Sequence, residues 1–281
     1  MTIYGLYARD AGGWLSVASL IRLMAGLGVD EPSVRSSVSR LKQRGLVEPR
    51  RRDGAAGYAL TGRGQDILAE GDRRIFERPR ATAADGWLLA AFSVPESQRG
   101  RRHTLRSRLA WLGFGTVSAG VWIAPAHLAA ETAEVLRRYR LEGYVDLFRA
   151  EYLAFGEPRE QVRRWWDLDR LEQLYQAFLH SAAAAAGPAV AARQAGQGSA
   201  GGPGAAGDSQ SAFAAYVRVL TAWRRLPFLD PGLPPEYLPA DWSGLRAADT
   251  FGALRASLSG HAWAHVRAVV GRPDPADRVS R

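Results

Sequence analysis

The sequence predicts an α+β, multidomain chain made of three successive segments. Residues 1–80 combine two short helical patterns with the pattern of a basic hairpin, and residues 81–157 alternate strand and helix patterns. Residues 158–271 show mainly helical periodicity, interrupted over 182–211 by a stretch rich in Ala, Gly, Gln and Ser. The length of 281 residues and the hydrophobic content of 47% suffice for two or three separate cores.

Local signals delimit the second helix of the first segment. Asp30 is suited to cap its N-terminus, Pro32 falls in its first turn, and Gly45 supplies a left-handed stop. Apolar residues at i, i+4 and i+7 from Val34 form a single stripe along this helix. Such a stripe predicts packing against a preceding helix over residues 17–25.

The opposite face of this second helix is polar and cationic, which suits contacts to phosphate oxygens and to guanine edges in a major groove. Two strand-like runs follow, over 46–51 and 58–60, and the two glycines between them indicate a hairpin. A helix from Thr61 to about Glu77 closes the segment. Together these elements predict an N-terminal winged helix-turn-helix over residues 1–80 that binds double-stranded DNA.

Two kinds of DNA contact are expected from this module. The helix contributes base readers, and its ends and the hairpin contribute phosphate contacts. The alternative is that the hairpin arginines are a solvated charge run, or that Arg35 or Arg40 is a buried partner of Glu48 or Asp66. The predicted base readers are Arg35, Ser36, Ser39 and Arg40, and the predicted further DNA-binding residues are Ser33, Lys42, Arg44, Arg50, Arg51 and Arg52.

The charge distribution supports this assignment. The formal net charge is +9, and residues 1–80 hold fourteen Lys and Arg against nine Asp and Glu, so they supply +5 of it. There is no cysteine, which excludes disulfides and thiolate metal sites. No run of about 18 apolar residues occurs, and the first residues lack a basic region followed by an apolar stretch. We therefore expect a cytoplasmic protein that does not contact a membrane.

The middle segment, residues 81–157, reads as strand, helix, strand, strand, helix, strand. Its first strand begins at Trp87, its first helix covers 101–112, and two strands flank Gly120. A helix over 128–139 and a strand from Tyr144 complete the pattern. This βαββαβ order predicts a ferredoxin-like domain.

The third segment, residues 158–271, predicts a C-terminal helical domain. Helical patterns cover 162–179, 212–225 and 245–265, with a proline-rich turn region at 227–239. The Ala/Gly-rich stretch at 182–211 has few apolar anchors, so we expect a flexible insertion there.

Three groups of motifs occur in a fixed order along nearly the whole chain, and their combination is specific although each alone is weak. They are Val34-Arg35-Ser36-Ser37-Val38-Ser39-Arg40-Leu41, then Gly120-Val121-Trp122-Ile123-Ala124-Pro125, then Leu238-Pro239-Ala240-Asp241-Trp242-Ser243-Gly244. In this order the chain resembles the PaaX family of bacterial transcriptional repressors, which control phenylacetate degradation and related aromatic catabolism. The resemblance implies a homodimer that binds a palindromic operator and releases it when an aryl-CoA thioester such as phenylacetyl-CoA is bound. The insertion at 182–211 departs from the family pattern.

A cluster of arginines between residues 99 and 108 and several tryptophans are candidates for the effector site. Like charges this close repel one another unless an anion lies nearby, which could be DNA, an acidic face of a partner subunit or the phosphates of a CoA. Alternatively, the arginines form a solvated helix face and pair with Glu131 or Glu134. The alternative for the tryptophans is a place in the hydrophobic core. The predicted effector-binding residues are Arg101, Arg102, Arg106, Trp165 and Trp242.

Other functions have less support from the residues. A metal-dependent nuclease built on the ferredoxin-like unit, as in the small CRISPR-associated nucleases, would need a carboxylate at the end of the first strand, where Phe92-Ser93-Val94 stands. His261 and His265 have the spacing of a metal pair but no third ligand stands out, so no metal is expected. The sequence also shows no Gly-x-Ser-x-Gly motif, no phosphate-binding glycine loop and no Ser/His/Asp order, so no cofactor and no enzymatic activity are expected. A DNA-binding activator or architectural protein without a CoA ligand remains an open alternative.

Overall fold

The computed structural model describes residues 1–10, 12–77, 79–153, 155–196 and 204–271. It is an α+β structure with two antiparallel sheets, as the sequence predicts. The chain divides into two compact units that do not follow the three sequence segments. The first unit comprises Met1–Asp72, Phe178–Ala222 and Ala248–Arg281, and the second comprises Arg73–Ala177 and Trp223–Ala247.

The N-terminal elements form a small three-stranded sheet with helices beside it. The strands lie in the order β1-β3-β2, and both pairs are antiparallel. The β2–β3 hairpin turns through Asp53 (φ 51°) and Gly54 (φ 82°), which is the two-residue turn that matches the twist of paired strands. After a π-helical turn at Tyr4–Ala8, the elements are β1 (Trp14–Ser16), α1 (Val17–Ala25), α2 (Glu31–Gln43), β2 (Val47–Arg52), β3 (Ala55–Leu60) and α3 (Gly62–Asp72).

The middle of the chain forms a four-stranded antiparallel sheet. Its elements are β4 (Trp87–Phe92), α4 (Arg99–Trp111), β5 (Gly115–Ser118), β6 (Val121–Pro125), α5 (Ala129–Arg138) and β7 (Val145–Ala150). The strand order is β5-β6-β4-β7, so β5 and β7 are the two edges. Leu105 and Leu109 of α4 and Val135 and Leu136 of α5 are buried in one cluster with Leu88 of β4. Both helices therefore cover the same face of the sheet.

The remaining helices are α6 (Pro158–Trp165), α7 (Leu168–Gly196), α8 (Gly204–Trp223), α9 (Leu226–Leu229) and α10 (Ser243–Val270). The helix that the sequence predicts over 162–179 is broken, because Trp166 has extended backbone angles and Asp167 accepts a hydrogen bond from the Arg170 N–H at 3.0 Å.

The sequence predicts a flexible insertion at 182–211 without helical periodicity. The residues of this stretch that the structure describes are helical instead. Helix α7 continues through 182–196, and α8 already begins at Gly204. The physical reason is the high helix propensity of alanine, which needs no periodic apolar pattern. Ala182 and Ala186, four residues apart, are buried on one face of α7. Residues 197–203 lie outside the described residues.

The core of the first unit joins N-terminal and C-terminal elements. The Tyr7 ring packs against Phe213 of α8 at 5.8 Å and against Trp263 of α10 at 5.1 Å between centroids. Leu20 of α1 and Val34 of α2 belong to the same buried cluster. The first 72 residues therefore share their core with helices that lie about 200 positions later in the sequence.

The second unit contains a buried ion pair. The Arg74 guanidinium donates to the Glu131 carboxylate at 2.9 and 3.2 Å and to the Leu112 carbonyl oxygen at 3.2 Å. Only 7% of the Arg74 side chain and 18% of the Glu131 side chain are exposed. Loss of one partner would leave an uncompensated charge in a poorly hydrated place.

We predict that Glu131→Gln lowers the free energy of unfolding by about 3 kcal/mol, because it leaves the Arg74 charge buried and unpaired. The matched control is Glu134→Gln, since Glu134 is an exposed residue of the same helix that pairs with Arg138. Its loss is expected to cost less than about 0.5 kcal/mol. Thermal and urea unfolding of the three proteins measure the difference, and equal stability of the two variants would contradict the prediction.

Candidate DNA-binding surface

Helix α2 has one buried face and one exposed face. Val34 and Val38 are buried in the core of the first unit, and Leu41 is half-buried. All ten predicted DNA-binding residues are exposed. The single stripe of apolar positions therefore fixes the rotation of the helix and leaves the polar face free for a ligand.

The N-terminus of α2 is capped as the sequence predicts. The Asp30 carboxylate accepts hydrogen bonds from the Ser33 N–H at 2.7 Å and from the Ser33 hydroxyl at 3.0 Å. These bonds hold the pKa of Asp30 below its ordinary value. Pro32 lies in the first turn, where its missing N–H leaves no bond unmade. The Ser33 hydroxyl is thus engaged by the cap in the free protein.

Two arginines of α2 are oriented by neighbours on the same helix. The Arg35 guanidinium pairs with the Glu31 carboxylate at 2.7 Å, and both side chains are at least half exposed. The Arg40 guanidinium donates to the hydroxyl oxygens of Ser36 and Ser37, each at 3.0 Å. Neither arginine is buried, and neither is bonded to Glu48 or Asp66. The alternative of a buried structural role therefore does not describe Arg35 or Arg40.

The β2–β3 hairpin presents three consecutive arginines. The Arg52 guanidinium lies over the Trp14 ring at 5.4 Å, and the Arg51 guanidinium donates to the Gly54 carbonyl oxygen at 3.0 Å. The Trp14 indole N–H donates to the carbonyl oxygen of Arg50 at 2.9 Å. Trp14 of β1 therefore supports the hairpin from the neighbouring strand, and the guanidinium groups stay exposed.

Lys42 and Arg44 differ from the other cations of the surface. Within the part of the chain that the structure describes, neither side chain makes a hydrogen bond or an ion pair, and both are exposed at the C-terminal end of α2. Exposed cations without a partner inside the protein are suited to phosphate contacts, which require charge more than fixed geometry.

Three residues shape this surface in ways that the sequence did not predict. Ser37 holds Arg40, and its spacing of three residues on the helix was the available signal. Trp14 supports the hairpin, although the sequence gives no sign of which strand it contacts. Gly57 is opposite Ser16, and a Cβ there would lie 2.5 Å from the Leu15 carbonyl oxygen and from the Trp14 ring. Only glycine lets β1 and β3 approach this closely.

The three predicted effector-binding arginines lie on α4 and have partners within their own unit. Arg101 donates to the Arg140 carbonyl oxygen at 2.9 Å, and Arg106 lies over the Trp122 ring at 5.7 Å. Arg102 pairs with Glu96 at 2.8 Å and donates to the Val94 carbonyl oxygen at 2.7 Å. The counterion of Arg102 is therefore Glu96, and not Glu131 or Glu134, which the sequence suggested.

The two predicted effector-binding tryptophans lie in aromatic clusters. Trp165 is half-buried, and its ring contacts Trp87 at 5.6 Å and Tyr152 at 5.7 Å. Trp242 is buried against Tyr175 at 5.7 Å. Within the described residues, no hydrogen bond or ring contact joins these two tryptophans to each other or to the arginines of α4. The five positions therefore do not form one preformed cluster.

The second unit also contains a pocket of about 180 Å³, whose lining includes Arg74, Glu131, Pro227, Asp230 and Gly232. His127 also lines this pocket, and burial lowers the pKa of its imidazole.

Among the residues described, no group of three or more His, Cys, Asp and Glu side chains is placed to hold a metal ion. Within the same residues, no helix has the length and the apolar character needed to cross a membrane.

Comparisons with known protein families match almost the whole chain. Residues 1–64 match the model described as PaaX-like protein, residues 80–162 match the PaaX protein central Cas2-like domain, and residues 166–268 match the PaaX-like protein C-terminal domain.

Two individual proteins are similar to this chain. The transcriptional repressor PaaX of Escherichia coli (strain K12) is 26% identical over 247 residues, which are 86% of this chain and 74% of that protein. A solved structure of an uncharacterized protein from Mycobacterium tuberculosis has a TM-score of 0.59 at 22% identity and covers 95% of this chain and 96% of that chain. The second likeness supports the fold alone.

We predict that Gly57→Ala destabilises the first unit by about 2 kcal/mol, because the added methyl group forces β1 and β3 apart. Gly62→Ala is the matched control, since a Cβ at Gly62 meets nothing within 4 Å. Urea unfolding measures both variants. A Gly57→Ala protein as stable as Gly62→Ala would show that the close approach of the two strands is not required.

Proposed function

Because this chain belongs to the PaaX family of transcriptional repressors, we propose that it represses transcription by binding an operator through residues 1–80, which act as a winged helix-turn-helix. The PaaX family and the E. coli relative are transcriptional repressors and not enzymes. The observation that carries the proposal is the exposed polar and cationic face of α2 beside a hairpin with three exposed arginines. A helix and a wing arranged in this way suit a major groove and its flanking phosphates.

The side chains of this surface divide into two roles in the proposal. Arg35 and Arg40 project from α2 with their guanidinium groups oriented by Glu31, Ser36 and Ser37, so they are suited to bidentate contacts with guanine. Base readout is assigned to Arg35, Ser36, Ser39 and Arg40, and phosphate contacts are assigned to Ser33, Lys42, Arg44, Arg50, Arg51 and Arg52.

Specific recognition in a genome requires more contacts than one such module makes, so the proposal includes a homodimer on a palindromic operator. The two recognition helices would then lie about 34 Å apart, which is one turn of DNA. The βαββαβ order and the sheet order β5-β6-β4-β7 support a ferredoxin-like middle domain at 81–157. A helical C-terminal domain over 158–271 completes the proposed organisation.

The family resemblance also supports an aryl-CoA thioester, such as phenylacetyl-CoA, as the molecule that releases the operator. The arginines of α4 are the proposed phosphate contacts because Arg101 and Arg106 are exposed and Arg102 is held by a surface carboxylate that a stronger anion can replace. Trp165 and Trp242 are proposed to contact the aromatic acyl group. The effector would act by favouring a dimer whose recognition helices no longer match the operator spacing.

We predict that Arg40→Ala weakens binding to the operator by about 1–3 kcal/mol and relaxes discrimination at one base pair. Arg51→Ala is expected to weaken binding to all sequences alike and to reduce the slope of log affinity against log salt by about one. Fluorescence anisotropy with the protein's own upstream region, with competitor DNA and at several salt concentrations, measures both effects.

Arg218→Ala is the control, because Arg218 is an exposed arginine of α8 in the same unit. Unchanged affinity and salt slope are expected for it. If Arg40→Ala binds the operator like the unmodified protein, α2 is not the recognition helix. If the unmodified protein does not prefer its upstream region over competitor DNA, the proposed operator is elsewhere or the proposed function fails.

We predict that a titration with aryl-CoA thioesters releases the operator, and that Arg102→Ala with Arg106→Ala raises the effector concentration required by about tenfold or more. Competition binding with phenylacetyl-CoA and a panel of related thioesters checks this result. An unchanged response in the double variant would remove α4 from the effector site. Operator binding that is indifferent to every thioester would keep the DNA-binding function and exclude an aryl-CoA effector.

A further inference from the structure

The excess positive charge of the chain comes from two regions. Residues 1–80 supply +5 of the formal net charge of +9, and residues 96–142 hold eight arginines against four glutamates, which supplies the other +4. All remaining positions taken together therefore carry no net charge. The first region contains the proposed DNA-binding surface, so the second is the other place where the charge of the chain favours a polyanion.

Contacts between α4 and the end of α5 bring several of these arginines together. Arg101 donates to the carbonyl oxygen of Arg140 at 2.9 Å, and the Arg108 guanidinium lies over the Tyr139 ring at 4.1 Å. Arg101 and Arg108 are seven residues apart, so they lie on the same side of α4. This side therefore borders the C-terminal end of α5, where Arg137 and Arg140 are exposed.

We name this group the α4–α5 arginine surface, and it consists of Arg101, Arg108, Arg137 and Arg140 together with Tyr139, which is 38% exposed. Among the described residues, none of its four arginines forms an ion pair with a carboxylate. Three of the four glutamates in residues 96–142 are paired with other arginines: Glu96 with Arg99 and Arg102, Glu131 with Arg74, and Glu134 with Arg138.

The contacts that hold this surface leave its positive charge uncompensated. A carbonyl oxygen and an aromatic ring orient Arg101 and Arg108 but carry no formal negative charge. Like charges gathered in one place repel one another, and an anion bound beside them relieves the repulsion. The surface is thus oriented by the fold and still lacks a counterion among the described residues.

Duplex DNA fits this surface in two respects. A duplex carries about one negative charge per 1.7 Å of its axis, so it offers several phosphates to several arginines at once. The same chain is proposed to hold an operator through residues 1–80, and a second contact on a chain that is already bound forms at a high effective concentration. Weak phosphate contacts then suffice to increase the affinity. This second argument does not apply to an RNA or to an acidic protein.

We propose that the α4–α5 arginine surface is a second DNA-binding surface, which contacts phosphates of the duplex outside the operator. The inference rests on the proposed function and extends DNA contact to the second unit. Phosphate contacts carry no direct sequence information. The surface therefore adds affinity and salt dependence, and sequence preference stays with residues 1–80.

The test compares two duplexes taken from the protein's own upstream region. The minimal duplex is the shortest piece that is still bound specifically, and the long duplex extends it by about 20 base pairs, or two helical turns, on each side. Arg137→Ala with Arg140→Ala removes two of the four arginines. Arg101 stays unchanged, because it is also one of the proposed effector-binding residues.

The double alanine variant is expected to bind the long duplex about tenfold more weakly than the unmodified protein does. The slope of log affinity against log salt should fall by at least about two, since each arginine neutralises about one phosphate. Affinity for the minimal duplex is expected to stay within about twofold. Fluorescence anisotropy at several salt concentrations measures both quantities, and circular dichroism checks that each variant is folded.

Two further variants separate local contact from net charge. Arg163→Ala with Arg164→Ala removes two exposed arginines of α6 in the same unit, and it is expected to bind both duplexes like the unmodified protein. Arg137→Lys with Arg140→Lys keeps the charge at the proposed surface. It is expected to bind the long duplex within about threefold of the unmodified protein, because phosphate contacts need charge more than fixed geometry.

Cleavage of DNA from a labelled cysteine gives an independent measurement. The chain has no cysteine, so Ser107→Cys introduces a single thiol at an exposed position of α4 beside Arg108. An iron–EDTA reagent attached to this thiol is expected to cleave the long duplex outside the operator. Adding Arg137→Ala and Arg140→Ala is expected to abolish this cleavage.

The outcomes distinguish the second surface from the proposed function. Specific binding with equal affinity for both duplexes in the unmodified protein overturns the second surface alone. So does a double alanine variant that affects both duplexes alike, which is the result expected if the surface serves an RNA or an acidic protein. An equal loss in the α6 control, or a lysine variant as weak as the alanine variant, also overturns it. An unmodified protein that binds no upstream duplex specifically contradicts the proposed function itself.

Discussion

The proposed DNA-binding surface depends on the burial of one narrow apolar stripe on α2. Val34 and Val38 enter the core of the first unit beside Leu20 of α1, and each buried valine contributes about 2 kcal/mol. A rotation of the helix by one residue would exchange these side chains for charged or hydroxyl groups. The direction in which Arg35 and Arg40 point is therefore fixed by two valines on the opposite side of the helix.

That core is not local to the N-terminal segment. Tyr7 packs against Phe213 of α8 and Trp263 of α10, so helices from the C-terminal part of the sequence complete the environment of α1 and α2. We therefore expect substitutions in these late helices to change the stability of the proposed DNA-binding surface from outside it. A fragment that ends near residue 80 would expose the apolar side of this core, and we expect such a fragment to be less stable than the intact chain.

The sequence was most informative where structure is decided by neighbours along the chain. The limits of α1 and α2, the Asp30 cap and the glycine-containing hairpin follow from local hydrogen bonding and backbone preference. The helix at 182–196 was missed because alanine forms helices without a periodic apolar pattern. The contact of Tyr7 with Phe213 was not predictable, since periodicity identifies a buried face but not its partner. For the same reason, the sequence could name exposed arginines as candidate DNA contacts but could not name Trp14 as the support of Arg52.

Burial separates the two uses of arginine in this protein. Arg74 has carboxylate and carbonyl partners in a place with little water, so exchanging them for a ligand would leave Glu131 without its counterion. Arg40 and Arg52 are held by hydroxyl groups and by an aromatic ring, while their guanidinium groups remain exposed. Such contacts restrict the side chain at a small energetic cost and can be exchanged for a phosphate or a base. Several arginines of the proposed DNA-binding surface are thus held by contacts within the protein, whereas the side chains of Lys42 and Arg44 have no such contact among the described residues.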